Sequence, residues 1–369
     1  LYKAKSGEEI VNEQTYTFID RGEREVTLRP EMTPTVARMV AGKKRELSFP
    51  LRWYSIPNLF RYEQPQKGRL REHWQLNVDI FGVESLNAET EVIQIAYDIT
   101  KASGLKDTDF EIRINNRKLM NYVTRDVLGL DSKNSHAISK LIDKKRKIDG
   151  NTFKEEVVKL TGEKAPIMMA LLNSRNFEEF TKNLPQTKDE HEGIREIRQV
   201  IDILEKLGIT NAVFDQTLMR GFDYYTGIVF EIFDKNPENR RSLCGGGRYD
   251  DLLSLFGGEK VPAVGFGLGD VTAKDVMETY KTLPQVHSNA DIYIAVISRE
   301  QSPFANDIAQ DLRKNGKKVI VDFSYKKIGE QIKSADKRNV ERLIVIGEEE
   351  VKTGKYKVKN LKTGNIEEN

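Results

Sequence analysis

Arg61 and Glu63 stand one residue apart in FRYEQPQKGRLREHWQLNVDIFG, residues 60–82, the stretch with the densest set of chemically capable side chains. On an extended strand residues i and i+2 point to the same face, so a guanidinium and a carboxylate would look onto one volume. The segment Gln64 to Arg69 contains Pro65 and Gly68, which supply a loop able to admit a ligand. Gln75, Asn77 and Asp79 then alternate with Leu76, Val78 and Ile80, which predicts a second strand with three polar side chains on one face and three apolar ones on the other. A polar face with apolar backing is a platform for a small ligand. The same pattern also describes a surface hairpin with one solvated face.

Further candidates lie outside this hairpin. Glu31 and Thr33 sit between Pro30 and Pro34, at a predicted strand-to-helix corner where donors and acceptors can converge on a small molecule, or where they simply cap a helix. Arg220, Asp223, Tyr224 and Tyr225 fall between two extended runs marked by Gly221 and Gly227, near a hairpin or bulge, a grouping that packing alone would also produce. Three glycines, 245–247, precede Arg248 and Tyr249. They let a backbone pass close to a flat or phosphorylated ligand. The run lacks the Gly-Lys-Ser/Thr ending of a phosphate loop, and its spacing does not fit a dinucleotide fingerprint. Glycines 265, 267 and 269 repeat the signal of close backbone approach in an apolar strand.

The elements that must hold these residues follow from pattern. A chain of 369 residues has room for two or three domains. Short strands at 17–20, 25–28, 51–61 and 110–115, with an amphipathic helix over 87–103 stopped by Gly104, predict an α+β antiparallel-sheet domain in residues 1–116. Strand signals vanish over 117–207, where Lys- and Glu-rich helical stretches predict a helical insertion. Its last helix would bury Ile197, Ile201 and Leu204, and its run LIDKKRKIDG reads as a solvated face or a polyanion contact. The sheet resumes over 208–278, residues 279–289 read as a linker, and 290–369 alternates strand and helix as a small α/β domain with a largely parallel sheet.

Composition excludes several classes. With 59 Lys and Arg against 57 Asp and Glu there is no global field for nucleic acid, and residues 290–369 carry 16 basic against 13 acidic side chains, which permits RNA contact without requiring it. One cysteine excludes an internal disulfide, and four histidines without ligand spacing argue against a protein-ligated structural metal. No apolar run reaches the length of a membrane span, and the whole suits a reducing cytoplasm. The chain opens at Leu1 in what reads as mid-domain sequence, so a preceding segment is expected.

Taken together the motifs resemble the histidyl-tRNA synthetases, a family of class II aminoacyl-tRNA synthetases, and the likeness runs through essentially the whole chain. FRYEQPQKGRLREHWQLNVDIFG looks like class II motif 2 in its histidyl form, TLRPEMT like the substrate-binding corner, and RGFDYY like the histidine-specific signature. GGGRYDDLL with VPAVGFGLG resembles the second signature and motif 3. The resemblance implies a class II antiparallel-sheet catalytic domain with a helical insertion and a C-terminal anticodon-binding domain, ATP and Mg²⁺, L-histidine and tRNA(His) as ligands, and a homodimer built on a motif 1 that would precede Leu1. It implies that Arg61 and Arg220 are catalytic cations at the α-phosphate, that Glu63 engages the adenine side and Arg69 the outer phosphates, and that Glu31, Thr33 and Gln75 hold the histidine amino group. Asp79 and Tyr225 would read the imidazole, with Tyr224 and Tyr249 lining the same pocket. The alternative within this resemblance is the non-catalytic relative that serves as a regulatory subunit of histidine biosynthesis; it loses the arginines and the anticodon domain that this sequence keeps. One departure stands out: Thr272 occupies the motif 3 position where the family often has an arginine.

Overall fold

Alternation of period two lays out the central sheet. The computed structural model describes residues 2, 8–145, 148–219, 224–239, 241–257, 259–284 and 290–368. Its strands β1 (Thr17–Ile19) and β2 (Glu25–Thr27) form a small antiparallel ribbon. The main sheet uses β3 (Leu51–Ser55), β4 (Asn58–Phe60), β5 (Glu72–Phe81), β6 (Phe110–Asn116), β7 (Ala212–Phe214), β8 (Ile228–Asp234), β9 (Ser242–Arg248) and β10 (Ala263–Gly269). They run in the order β3-β5-β10-β9-β8-β6-β7, with β4 also on β5. All pairs are antiparallel except β6 with β7. The stretch 51–61, predicted as one weak strand, divides into β3 and β4 because the chain breaks at Ile56-Pro57, whose proline has no N–H to give a ladder.

One face of this sheet is apolar and covered by helices. Val78, Ile80, Phe230, Ile232, Val264 and Phe266 join a continuous core with α3 (Asn87–Ala102) and α9 (Glu192–Lys206). On α9 the buried stripe is Ile194, Ile197, Val200 and Leu204, a helical spacing of three and four. Ile201, predicted inside, sits at the flank and is half-buried. Arg248 turns to this side as well. Its guanidinium forms a fork with Glu89 of α3, Nε to Oε1 at 2.5 Å and Nη2 to Oε2 at 2.6 Å, and donates to the carbonyls of Val83 and Ser85. Both oxygens of a buried carboxylate are thereby addressed, and such a pair is costly to break although it adds little over an apolar one.

Between β6 and β7 the chain is helical: α4 (Arg117–Asn121), α5 (Ser132–Asp143), α6 (Gly150–Thr161), α7 (Ala165–Leu172), α8 (Phe177–Lys182) and α9. Asp131, Asp149 and Asn176 accept backbone N–H bonds at the starts of α5, α6 and α8, which defines where each begins. Helices α1 (Glu8–Glu13) and α2 (Thr33–Lys43) precede the main sheet. After Gly269 the chain does not run on as an extended segment but enters α10 (Asp270–Thr279), with Asp270 in the first turn where a carboxylate meets the helix dipole.

The chain divides into two units, Leu1–Leu283 and Pro284–Asn369. The second holds β11 (Ile292–Val296), β12 (Val319–Asp322), β13 (Arg342–Ile346), β14 (Lys357–Asn360) and β15 (Ile366–Glu368), with α11 (Ser302–Lys314), α12 (Ile328–Lys337) and α13 (Glu348–Thr353). Strands β12, β11 and β13 are parallel, and a hairpin, β14-β15, extends the sheet antiparallel. That hairpin is the feature missing from a reading of parallel alternation, because Lys-Val-Lys-Asn carries almost no apolar signal. Asn360 closes its turn by accepting from the N–H groups of Lys362 and Thr363. No helix among the described residues is long and apolar enough to cross a membrane.

Candidate active site

The opposite face of the main sheet carries a cleft. Register places Gln75, Asn77 and Asp79 of β5 beside Gly269, Gly267 and Gly265 of β10, and Gly267 and Gly265 beside Gly245 and Gly247 of β9. On a pleated sheet these positions share a face, so two strands present bare backbone where β5 presents polar side chains. The bareness serves the neighbouring side chains before it serves any ligand. A Cβ on Gly267 would stand 2.8 Å from Cδ of Gln75, and one on Gly265 would overlap the Asp79 carboxylate. The glycines therefore let Gln75 and Asp79 lie flat across β10.

Helix α2 builds the wall over this floor. Val36, Ala37 and Val40 pack with Tyr224, Tyr225, Tyr249, Phe81 and Val229. Burial of this face fixes the corner before α2, so that Glu31 accepts a hydrogen bond from the Tyr224 hydroxyl at 3.1 Å. The Tyr224 ring contacts both of the others, Tyr225 at 4.8 Å and Tyr249 at 5.7 Å between ring centroids. Arg61 is held from the same corner, its Nε donating to the Pro30 carbonyl at 2.9 Å. The turn between β4 and β5 closes tightly, Gln66 and Arg69 exchanging backbone hydrogen bonds at 3.0 and 2.9 Å around Lys67-Gly68. Arg69 forms an ion pair with Glu63.

The resulting hollow, about 240 Å³, is lined by Glu31, Thr33, Arg61, Glu63, Arg69, Gln75, Tyr224, Tyr225 and Tyr249 together with residues of β9, β10 and the start of α10. Nine of the sequence-predicted site residues thus meet at one place. Asp79 does not line it: it lies beneath, almost fully buried, and accepts from the Tyr249 hydroxyl, so Tyr249 is its face to the cleft. Arg220 and Asp223 fall outside the described residues.

Sequence reasoning passed over His73 and Arg241, which also line the hollow. His73 continues the alternation 73, 75, 77, 79, so the strand's own period could have found it. Arg241 stands four residues before the triple glycine, and a cation near a bare backbone was the available signal. Thr272 lines the same region, its hydroxyl donating to the carbonyls of Gly269 and Leu243 at 3.1 and 3.3 Å.

Electrostatically the described lining has three guanidiniums, Arg61, Arg69 and Arg241, against two carboxylates, Glu31 and Glu63. Burial, reinforced by the neighbouring Arg61 charge, pushes His73 down to about 4 and keeps it neutral at neutral pH. Burial pushes the Asp79 carboxyl up to about 7, with the Tyr249 hydrogen bond opposing the shift. Burial likewise lowers Arg61, while Glu31 and Glu63 favour its charge; an arginine remains ionised throughout. A net cationic rim over a polar floor suits a polyanionic ligand joined to a small polar one.

Residues 2–271 match the family model described as histidyl-tRNA synthetase, and residues 291–368 match an anticodon binding domain. A histidine–tRNA ligase of Leptospira biflexa is 42% identical over 99% of this chain and 84% of its own length. One of Natronomonas pharaonis is 38% identical over the same shares. Among solved structures, histidyl-tRNA synthetase from a Nostoc species superposes with a TM-score of 0.77 at 26% identity, covering 96% of this chain and 84% of that one. A Bacillus halodurans protein titled as an ATP phosphoribosyltransferase regulatory subunit/histidyl-tRNA synthetase gives 0.72 at 27%, covering 90% and 83%.

Proposed function

Since the chain belongs to the histidyl-tRNA synthetase family, we propose that it activates L-histidine with ATP and transfers the histidyl group to the 3′ end of tRNA(His). The observation that carries this reading is the convergence of Arg61, Glu31, Gln75 and the three tyrosines on one cleft with a cationic rim. The histidine carboxylate is already a nucleophile at neutral pH, so no general base is needed. One carboxylate oxygen attacks the α-phosphorus, the bond to the bridging oxygen breaks, and pyrophosphate leaves. Arg61 would neutralise charge on the α-phosphate, its orientation fixed by Pro30. Arg69 would meet the outer phosphates and Glu63 the adenine side. In the second step the terminal ribose hydroxyl of tRNA takes the acyl group and AMP departs.

Glu31, Thr33 and Gln75 would hold the histidine amino group, supported by the Glu31–Tyr224 bond that orients the carboxylate. Tyr225 and Tyr249 would face the imidazole, with Asp79 acting through the Tyr249 hydroxyl. Hydrogen bonds to both ring nitrogens would reject analogues lacking them by about 10⁴-fold. Arg220 remains the second catalytic cation that the resemblance implies.

Mg²⁺ would arrive on the ATP phosphates and neutralise part of their charge. We assign residues 1–116 and 208–278 to catalysis, 117–207 to the helical insertion, 279–289 to the linker and 290–369 to anticodon contact. The reading also carries a cytoplasmic homodimer. Exposed Tyr54, Ile56 and Trp74 along the β3–β5 edge support an apolar interface there. A regulatory histidine sensor would have no use for Arg61 and Arg69 aimed into the cleft.

The test is histidine-dependent exchange of pyrophosphate into ATP by the protein and by Arg61→Ala. Loss of one such transition-state contact should slow exchange by about 10²- to 10³-fold with little change in the histidine KM. Exchange within tenfold of wild type would remove Arg61 from the chemistry, and exchange independent of histidine in the wild-type protein would refute the activity.

A further inference from the structure

The cleft wall formed by the start of α10 carries Thr272, whose hydroxyl is spent on the Gly269 and Leu243 carbonyls. Thr272 can give a ligand no positive charge. The bond to Leu243 nevertheless fixes which neighbour stands beside it: the first residues of β9 run against this wall. Arg241 is two residues before Leu243, about 7 Å along an extended chain, and it lines the same hollow.

The Arg241 side chain crosses to the β4–β5 turn. Gly68 at the turn tip has φ +76°, and a Cβ there would lie 2.7 Å from Cδ of Arg241. The methylenes of Arg241 therefore rest on the bare face of Gly68, which admits the side chain, and its guanidinium feels the charges of Arg69 and Glu63. Glu63 is already paired with Arg69. Arg241 has no salt-bridge carboxylate of its own among the described residues, and partial burial together with the nearby Arg69 charge disfavours its ionised form. Two guanidiniums converging around one carboxylate leave an uncompensated positive charge. A phosphate chain would relieve it with charge-assisted, bidentate bonds.

We propose that Arg241 is an ATP-binding residue that holds the outer phosphates jointly with Arg69, supplying from the residue before β9 the cation that Thr272 does not supply from α10. The assignment rests on the activity proposed above for the same cleft. Gly68 is then a seat for Arg241 as well as a turn residue.

The experiment measures equilibrium binding of Mg²⁺-ATP and of AMP to the full chain, beside histidine-dependent pyrophosphate exchange, for wild type, Arg241→Ala and Arg241→Gln. Thermal midpoints confirm that the variants fold. The expected result is ATP binding weakened about tenfold or more with AMP binding within about twofold, because AMP has no outer phosphates and loses no charge-assisted bond. ATP binding within twofold of wild type in both variants would overturn the proposal, and equal losses for ATP and AMP would overturn it in favour of a base or ribose contact. If the wild-type protein showed no histidine-dependent exchange while ATP binding still depended on Arg241, the activity would fall and this assignment would stand. Normal exchange with Arg241-independent ATP binding would do the reverse.

Discussion

Replacing Asp79 by asparagine separates two consequences of burying a carboxyl beneath the cleft. The group ionises near 3.8 in an unfolded chain and at about 7 in the fold, because desolvation outweighs the Tyr249 hydrogen bond. The folded state therefore holds a proton that the unfolded state has released between about pH 4 and pH 7. Stability from this group is fully present below the unfolded value and is lost as pH rises through the folded one. The difference between 3.8 and about 7 corresponds to about 4 kcal/mol as an upper bound, at roughly 1.4 kcal/mol for each tenfold change in proton affinity. The amide that D79N introduces would carry no charge at any pH, so the stability of the variant relative to wild type should improve by up to about 3 kcal/mol from about pH 4.5 to about pH 7.5, the remainder lying below that range. The absolute difference is less informative, since a buried amide with an unmet N–H costs about 1–3 kcal/mol of its own. Urea unfolding of both proteins across that pH range is the assay. A gap that stays constant within about 1 kcal/mol, or one that moves against D79N as pH rises, would refute the account. Histidine binding should weaken at the same time, because Tyr249 would lose the carboxylate that orients its hydroxyl.

Two further substitutions probe the frame around the site. Gly246→Ala would drive a Cβ into the Gly265 carbonyl and the Phe266 Cα, backbone atoms that cannot swing aside; pairing of β9 with β10 should loosen and the thermal midpoint of the first unit fall by several degrees or more, and an unchanged midpoint would show that the two strands can separate at no cost. Arg248→Ala leaves Glu89 buried without its fork and should cost about 3–5 kcal/mol, whereas Arg248→Met with Glu89→Leu should recover most of the loss; urea midpoints of the single and double variants decide the matter.

Much of the layout of the cleft is legible in the sequence because it rests on local rules. Alternation along 73–81 determines which side chains of β5 share a face, and Pro30 with Pro34 marks where α2 must begin. Helical periodicity over 192–206 and the loss of strand signal after Asn116 announce the helical segment. These depend on 2.0 and 3.6 residues per repeat and on the chemistry of proline and glycine, which operate within a few residues of chain. The same rules are silent where apolar signal is weak. The β14–β15 hairpin is nearly all polar, and α10 begins without an apolar stripe strong enough to announce a helix.

The sequence by itself determined the residue types of the cleft, their order and the faces they take on their own strands. Only the tertiary structure decided depth and company. Asp79 shares a face with Gln75, yet the register of β5 against Gly265 and the packing of Tyr249 put it under the floor rather than in the cleft. Arg241 lies 172 residues beyond Arg69 in the chain and meets it only because β9, β10 and β5 pair in that order and Gly68 leaves room for its side chain. Burial, and with it the shift of a carboxyl from 3.8 to about 7, arises from what surrounds a group on all sides. A linear sequence specifies at most two of those neighbours.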